Sequence, residues 1–231
     1  MTKRLPTVAI DGPAGAGKST IARLLSHRLG LTILDTGAMY RAVAVLAQSA
    51  GIDKDDAAAL EDLAKTTSIR FSQDEPLRIY VNGRDVTSEI RSLEIGQAAS
   101  EISVHTGVRR ALVVMQQEIV EPGGFVLEGR DTTTVVAPFA DLKVFLTASI
   151  EERARRRWLE ISSKGGAATL QTVVLDVVQR DHRDYSRKDS PLTLAEDAVI
   201  LESYAVTPPE ITERIVRILE ERGIVSHWVD H

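Results

Sequence analysis

Five short stretches, apolar through their centres and without alternation, constrain this chain more than any other feature: "TVAID" at 7–11, "LTILD" at 31–35, "GFVLEG" at 124–129, "LKVFLT" at 142–147 and "DAVILES" at 197–203. A strand apolar on both sides must be covered on both sides, which requires a parallel sheet with helices packed on each face. Helical patterns fall between the runs, at roughly 17–29, 37–49, 105–120, 150–162, 170–186 and 208–222. The last follows "TPP", a cap and first-turn signal, and stops at Gly223. With 231 residues, 43% of them hydrophobic, the expectation is one folded α/β unit rather than two independent domains.

One region breaks the alternation. "IRFSQDEPLRIYVNGRDV", residues 69–86, reads as two strands of alternating character around "QDEP", with "NG" as a second turn signal. A small antiparallel insertion is expected there. Gly165 and Gly166, after "RARRRWLEISSK", mark the tip of a mobile helical hairpin. The absence of cysteine excludes disulfides, thiolate nucleophiles and cysteine metal sites. A net charge of -5 argues against a dedicated nucleic-acid binder. No run approaches the ~20 apolar residues of a membrane span, and the N-terminal apolar run is too short for a signal peptide. A cytoplasmic protein that meets neither nucleic acid nor membrane is expected.

Directly after the first run and before the first helical pattern stands "GPAGAGKS", which fits GxxxxGKS with Gly12, Gly17, Lys18 and Ser19 at the fixed positions. Glycines in this context let successive backbone N–H groups turn inward, and the helix N-terminus adds favourable partial charge, so the segment cradles phosphates. The donor-binding set is Gly12, Pro13, Ala14, Gly15, Ala16, Gly17, Lys18, Ser19 and Thr20. Lys18 is expected to reach the β- and γ-phosphates of a nucleoside triphosphate, and Ser19 to ligate magnesium. A base-reading NKxD motif and an LSGGQ-like signature are both missing, which leaves a small-molecule kinase ahead of a GTPase or transporter ATPase.

Three further motifs carry chemistry. In "LTILDTGAMYRA", Asp35, Thr36, Tyr40 and Arg41 stand at and just past a strand end, where α/β sheets gather ligands. Thr36 can donate to a phosphate or cap the next helix; Arg41 can fork onto phosphate oxygens or remain solvated. In "GFVLEGRDTTT", Glu128 ends a central strand and can hold magnesium or its water, while Arg130 and Asp131 project onward; a loop salt bridge is the alternative. Arginines then cluster twice. Arg153, Arg156 and Arg157 share one helical face, and Arg180, Asp184 and Arg187 share another. Mobile arginines closing over the reactants would supply the positive charge that phosphoryl transfer needs; exposed pairs worth only ~0.3–0.5 kcal/mol are the alternative, preferred for Glu151, Glu152 and Arg155.

The ordered set "IDGPAGAGKST", "LDTGAMYRA", "VNGRDVTSEIRS", "FVLEGRD", "VFLTAS" and "RDHRDYSR" resembles the bacterial cytidylate kinases, P-loop nucleoside monophosphate kinases, over nearly the whole chain. The resemblance implies transfer of the γ-phosphate of ATP, with Mg2+, to CMP or dCMP by a monomeric enzyme. It also implies a P-loop α/β fold: a five-stranded parallel core (1–35, 104–152, 170–231), a monophosphate-binding insertion at about 36–103 and a short helical lid at about 153–169. By motif, Ser100, Arg109 and Asp131 would read the cytosine edge, and Arg180 and Asp184 would hold the sugar hydroxyls. Thr36, Tyr40, Arg41, Arg130 and Arg187 would hold the acceptor phosphate, and Arg153 and Arg157 would belong to the lid. Lys18, Arg130, Arg153, Arg157 and Arg187 would be the catalytic cations. The competing readings are a kinase of another metabolite, of shikimate or dephospho-coenzyme A type, and a nucleotide-binding regulator. Two departures stand out. The family continues "GRD" with a variable residue, glycine and threonine, where this chain has Thr132, Thr133 and Thr134, so Thr133 is expected to restrict the local backbone. Glu128 stands where many relatives carry aspartate.

Overall fold

The computed structural model describes residues 5–72 and 77–225. They cluster into two compact units. The first comprises the described parts of Met1–Leu34, Pro122–Ser186 and Ser190–His231; the second comprises Asp35–Glu121 and Arg187–Asp189.

All five apolar runs become strands of one parallel sheet: β1 (Val8–Asp11), β2 (Thr32–Asp35), β6 (Phe125–Gly129), β7 (Leu142–Thr147) and β8 (Val199–Glu202), in the order β2-β6-β1-β7-β8. The central β1 is buried at every residue, as a strand covered on both faces must be. The edge strand β8 alternates between half-buried and exposed positions. β1 pairs in register with β6, Asp11 opposite Gly129, and with β7, Asp11 opposite Phe145. Three strand ends therefore lie side by side at the carboxyl edge of the sheet.

Helices α1 (Lys18–Leu29) and α8 (Pro208–Glu221) cover this sheet. Leu25 and Leu29 of α1 and Ile215 and Leu219 of α8 join Val8, Ile10, Val126 and Val144 in one apolar cluster. The "TPP" signal works as expected: Thr207 caps α8 in a capping box with Glu210, and Pro208 and Pro209 occupy the first turn. Helices α6 (Ile150–Ser163) and α7 (Leu170–Ser186) form the hairpin anticipated around Gly165 and Gly166, closed by Ile161, Val173 and Val177.

In the second unit, α2 (Thr36–Ala50), α3 (Ala57–Thr66), α4 (Leu93–Ile102) and α5 (Thr106–Val120) pack beside a three-stranded antiparallel sheet. That sheet is built of β3 (Ile69–Phe71), β4 (Ile79–Val81) and β5 (Arg84–Asp85), one strand more than the pattern suggested. The extra strand follows the "NG" turn, where Asn82 and Gly83 both take positive φ, 49° and 83°, as a tight hairpin requires. The "QDEP" turn lies outside the described residues. Helix α5 packs on α3 in this unit, whereas the sequence boundary assigned residues from 104 onward to the core.

Since Leu25 is fully buried between sheet and α8, Leu25→Ala should lower unfolding stability by about 2–5 kcal/mol. Urea unfolding followed by circular dichroism measures the loss, and the midpoint should fall without a change in slope.

Candidate active site

The donor loop leaves β1 through Gly12, whose φ of 149° and close approach to β7 both demand glycine: a Cβ there would overlap the carbonyl of Leu146. Gly17, at φ 95°, then turns the chain into α1. No side chain caps α1; the Thr20 N–H turns back to Gly17 O at 3.1 Å, which leaves the Lys18 and Ser19 N–H groups to face an anion. The loop carbonyls point at cations. Lys18 Nζ donates to Gly12 O (2.7 Å) and Pro13 O (2.9 Å), Arg153 Nη1 donates to Ala14 O (3.1 Å), and Arg156 Nη1 reaches Gly15 O at 3.5 Å. Since C=O and N–H point opposite ways across a trans peptide, the N–H groups of Ala14 and Gly15 turn away from those cations; Pro13 carries no N–H, and that of Ala16 donates to Pro13 O at 3.4 Å.

Lys18 is buried. Its ammonium pKa falls to about 7, chiefly through burial, with the positive charge of Arg130 acting the same way and Glu128, Asp11 and Asp184 opposing both. Ser19 Oγ donates to Glu128 Oε2 at 2.8 Å, so the two residues expected to serve magnesium touch. One hydroxyl and one carboxylate are hard oxygen donors of the type magnesium prefers, too few for a complete cage and suited to sharing the ion with phosphate oxygens and water. Among the described residues no cluster of three or more acidic or imidazole side chains offers a metal centre.

Arg130, just beyond β6, donates Nε to Asp184 Oδ2 of α7 at 2.7 Å. Burial works against its charge, but Asp184, Glu128 and Asp11 outweigh that and raise its pKa. The salt-bridge alternative for Arg130 is present in the fold: its Nε is engaged by Asp184, and Nη1 rests on Gly129 O at 3.1 Å. Asp131 is buried at the head of a wide π-type turn, Thr132–Val136, its carbonyl accepting from Val135 and Val136 N–H. Arg180 is half-buried on α7 with Asp184 four residues on.

The proposed lid arginines divide. Arg153 is buried, forked onto Asp181 (3.1 and 2.7 Å) and bonded to Ala148 O. Arg157 pairs with Glu160 on a more exposed face. Arg156 bonds Glu152, Ser203 Oγ (2.9 Å) and Ser203 O. Glu152, which also accepts from Arg155, is pulled down to about pKa 2 by Arg155 first and then by Arg156. The sequence reading assigns no role to Asp181 or Ser203, although Asp181 lies inside the "RDHRDYSR" run, and it places Asp35 beside Thr36 without making it the cap.

In the second unit, Asp35 caps α2 by accepting from Ala38 N–H at 2.9 Å, so Thr36 is the first helical residue and not the cap. That disposes of one of the two readings offered for Thr36. Thr36 and Tyr40 are both buried one turn apart, and Arg41 is half-buried beside Tyr40 in the chain. The guanidinium of Arg109, itself 2% exposed, sits 5.2 Å from the Tyr40 ring centroid, with Nη1 on Ser103 O at 3.2 Å. Ser100 is buried on α4. Arg187 belongs to the short segment tied to this unit by Asp189, which accepts from Thr106 Oγ1.

Residues 8–221 match the family model described as cytidylate kinase. A cytidylate kinase of Geobacter sp. (strain M21) is 50% identical over 216 residues, 93% of each chain. One of Listeria welshimeri is 42% identical over 222 residues, covering 96% of this chain and 99% of that one. Among solved structures, an uncharacterized protein of Eubacterium ventriosum is 12% identical with a TM-score of 0.52, covering 94% of this chain and 99% of that chain, a likeness of fold.

A lysine depressed to about 7 makes donor binding proton-linked. A bound polyphosphate favours the charged ammonium, so binding at pH 8 should take up roughly one proton, and affinity should fall by up to about tenfold per pH unit above 7. Calorimetry in two buffers of different ionisation enthalpy reads the uptake, which Lys18→Met should abolish. In the unbound protein the sign is opposite for stability: the unfolded chain holds the proton that folded Lys18 sheds, so this group makes stability rise as pH climbs from about 7 towards 10.5.

Proposed function

The chain belongs to the cytidylate kinase family, and from that premise we propose that it transfers the γ-phosphate of ATP to CMP or dCMP, giving ADP and CDP or dCDP. The observation that carries the donor half is the Lys18–Ser19–Glu128–Arg130 grouping at the adjoining ends of β1 and β6. Family membership favours this reading over a kinase of shikimate or dephospho-coenzyme A type, and over a regulator without a phosphorylated product. The same reading places a monomeric enzyme in the cytoplasm, where ATP and pyrimidine monophosphates occur together.

Each of the chain's groups has a task in that reaction. Backbone N–H groups of the loop after Pro13, residues 14–17, and the first turn of α1 hold the β- and γ-phosphates. Lys18 exchanges the carbonyls of Gly12 and Pro13 for phosphate oxygens and neutralises charge on the transferring group. Ser19 and Glu128 would hold Mg2+, Glu128 directly or through water; when bound, the ion shields the phosphate charge from the incoming nucleophile. Thr36, Tyr40, Arg41, Arg130 and Arg187 grip the acceptor phosphate, and Arg180 and Asp184 hold the sugar hydroxyls. Arg153 acts through Ala14, fixing the loop, whereas Arg157 can exchange the exposed Glu160 for a phosphate. Ser100, Arg109 and Asp131 read the base: cytosine offers an amino donor beside two acceptors, which a carboxylate and a guanidinium complement. Uracil offers no amino group, so a buried carboxylate facing it stays unpaired, at a cost of about 1–3 kcal/mol.

Coupled assays with CMP, dCMP, UMP and AMP at equal concentration should show turnover with the two cytidylates well ahead; UMP or AMP performing as well would refute the base assignment. Lys18→Ala should lose several orders of magnitude in kcat with the fold intact by circular dichroism. Asp131→Asn should narrow the preference for CMP over UMP by about tenfold while ATP binding changes little.

A further inference from the structure

Asp11, the last residue of β1, is fully buried and plays no part in the chemistry above. Both carboxylate oxygens are filled. Oδ1 accepts from Thr132 N (2.9 Å) and Thr132 Oγ1 (2.7 Å); Oδ2 accepts from Thr133 N (2.8 Å) and Thr133 Oγ1 (2.6 Å). Four short charge-assisted bonds use about all the lone-pair directions a carboxylate has, so Asp11 is not the carboxylate that serves a metal ion.

What these bonds enclose is the point. Gly129 is held opposite Asp11 by strand register, and Thr132 is held by the Asp11 side chain. The intervening two residues are Arg130 and Asp131, so both ends of the segment carrying them are fixed on a single residue. The residue after Asp11 is Gly12, where the donor loop begins. Asp11 also lends its charge to both nearby cations, favouring the protonated forms of Lys18 and Arg130. Burial disfavours the ionised form and raises the Asp11 pKa, while the Thr133 and Thr132 donors pull against that rise, so the donors are what make a buried charge tolerable here.

We propose that Asp11, clamped by the hydroxyls and amides of Thr132 and Thr133, is a positioning residue that sets the placement of Arg130 and Asp131 relative to the donor loop. Thr133 supplies two of the four bonds, one from its amide and one from its hydroxyl, and only the hydroxyl can be removed without touching the backbone. The inference rests on the CMP kinase reading, because it assigns the clamp's effect to the acceptor.

Thr133→Val keeps the shape and removes the hydroxyl; Thr133→Ser keeps the hydroxyl. With the clamp in the proposed role, the valine variant should raise KM for CMP about tenfold, the order expected for one hydrogen bond to a charged group, with KM for ATP within about twofold. The serine variant should recover most of the CMP affinity. Asp11→Asn, which turns an NH2 donor toward the donors of either Thr132 or Thr133, should shift the same ratio further in the same direction. A purely structural role would lower the melting temperature of folded Thr133→Val and leave both KM values alone, or move them together; either result overturns the proposal, as does a serine variant no better than valine. If Asp11→Asn does not fold, the valine and serine pair decides. A wild-type protein inert toward CMP removes the reading and the inference together, whereas wild-type activity beside an unchanged valine variant removes the inference alone.

Discussion

The parallel hydrogen bonding of β1 to β6 on one side and β7 on the other decides where every donor-site group can be. Strands that run the same way end at the same edge, and register places Asp11 beside Gly129 and Phe145. Only glycine can follow Asp11, because the carbonyl of Leu146 on β7 leaves no room for a side chain. Glu128 meets Ser19 only because β6 is the neighbour of the strand that feeds α1. Permuting the order of these three strands would retain every motif and separate the groups that must act together.

That edge concentrates charge in a desolvated place, which would be unfavourable without alternation of sign. Lys18 and Arg130 carry positive charge; Asp11, Glu128 and Asp184 carry negative charge, and each cation is tuned by all three. Arg153 and Asp181 repeat the arrangement between α6 and α7 as a buried fork. Such pairs contribute little net stability because desolvation offsets attraction, but removing one partner costs about 3–5 kcal/mol. The gain is in placement. A buried, fully bonded guanidinium has one position, and the loop carbonyl of Ala14 is held wherever Arg153 is held.

What was legible in the sequence is what depends on near neighbours. The five apolar runs, the glycine-rich loop, the cap at Thr207 and the "NG" turn are each determined within a few residues, and each took the expected form. Helices α3 and α4 lie outside the sequence reading although their signals are local: Asp56 and Ser92 cap them, and Leu60 with Ala64, and Ile95 with Ala99 and Ile102, recur at helical spacing. The cap of α2 was offered to Thr36 when Asp35 performs it, since both side chains accept hydrogen bonds and backbone geometry chooses between them. Nothing near Asp181 in the chain points to its partner, because Arg153 lies 28 positions earlier. Asp11 read as the end of a strand because its partners lie 121 and 122 residues away.

Thr133 shows how the same residue can look like a liability locally and an asset in three dimensions. A β-branched residue does not readily take the left-handed backbone open to glycine, which is the restriction expected of Thr133 from the sequence. The chain does not ask for that backbone here: Thr133 is absent from the described non-glycine residues with positive φ, namely Asn82, Ser190 and Ala205. The wide turn of Thr132–Val136, with Ala137 N–H returning to Thr132 O at 2.8 Å, absorbs the chain within ordinary dihedral space. Once the backbone needs no glycine, a hydroxyl at this position costs no strain and meets a buried carboxylate at 2.6 Å. The restriction of χ1 that a branched side chain brings then works in favour of the bond, since less rotamer freedom is lost in forming it.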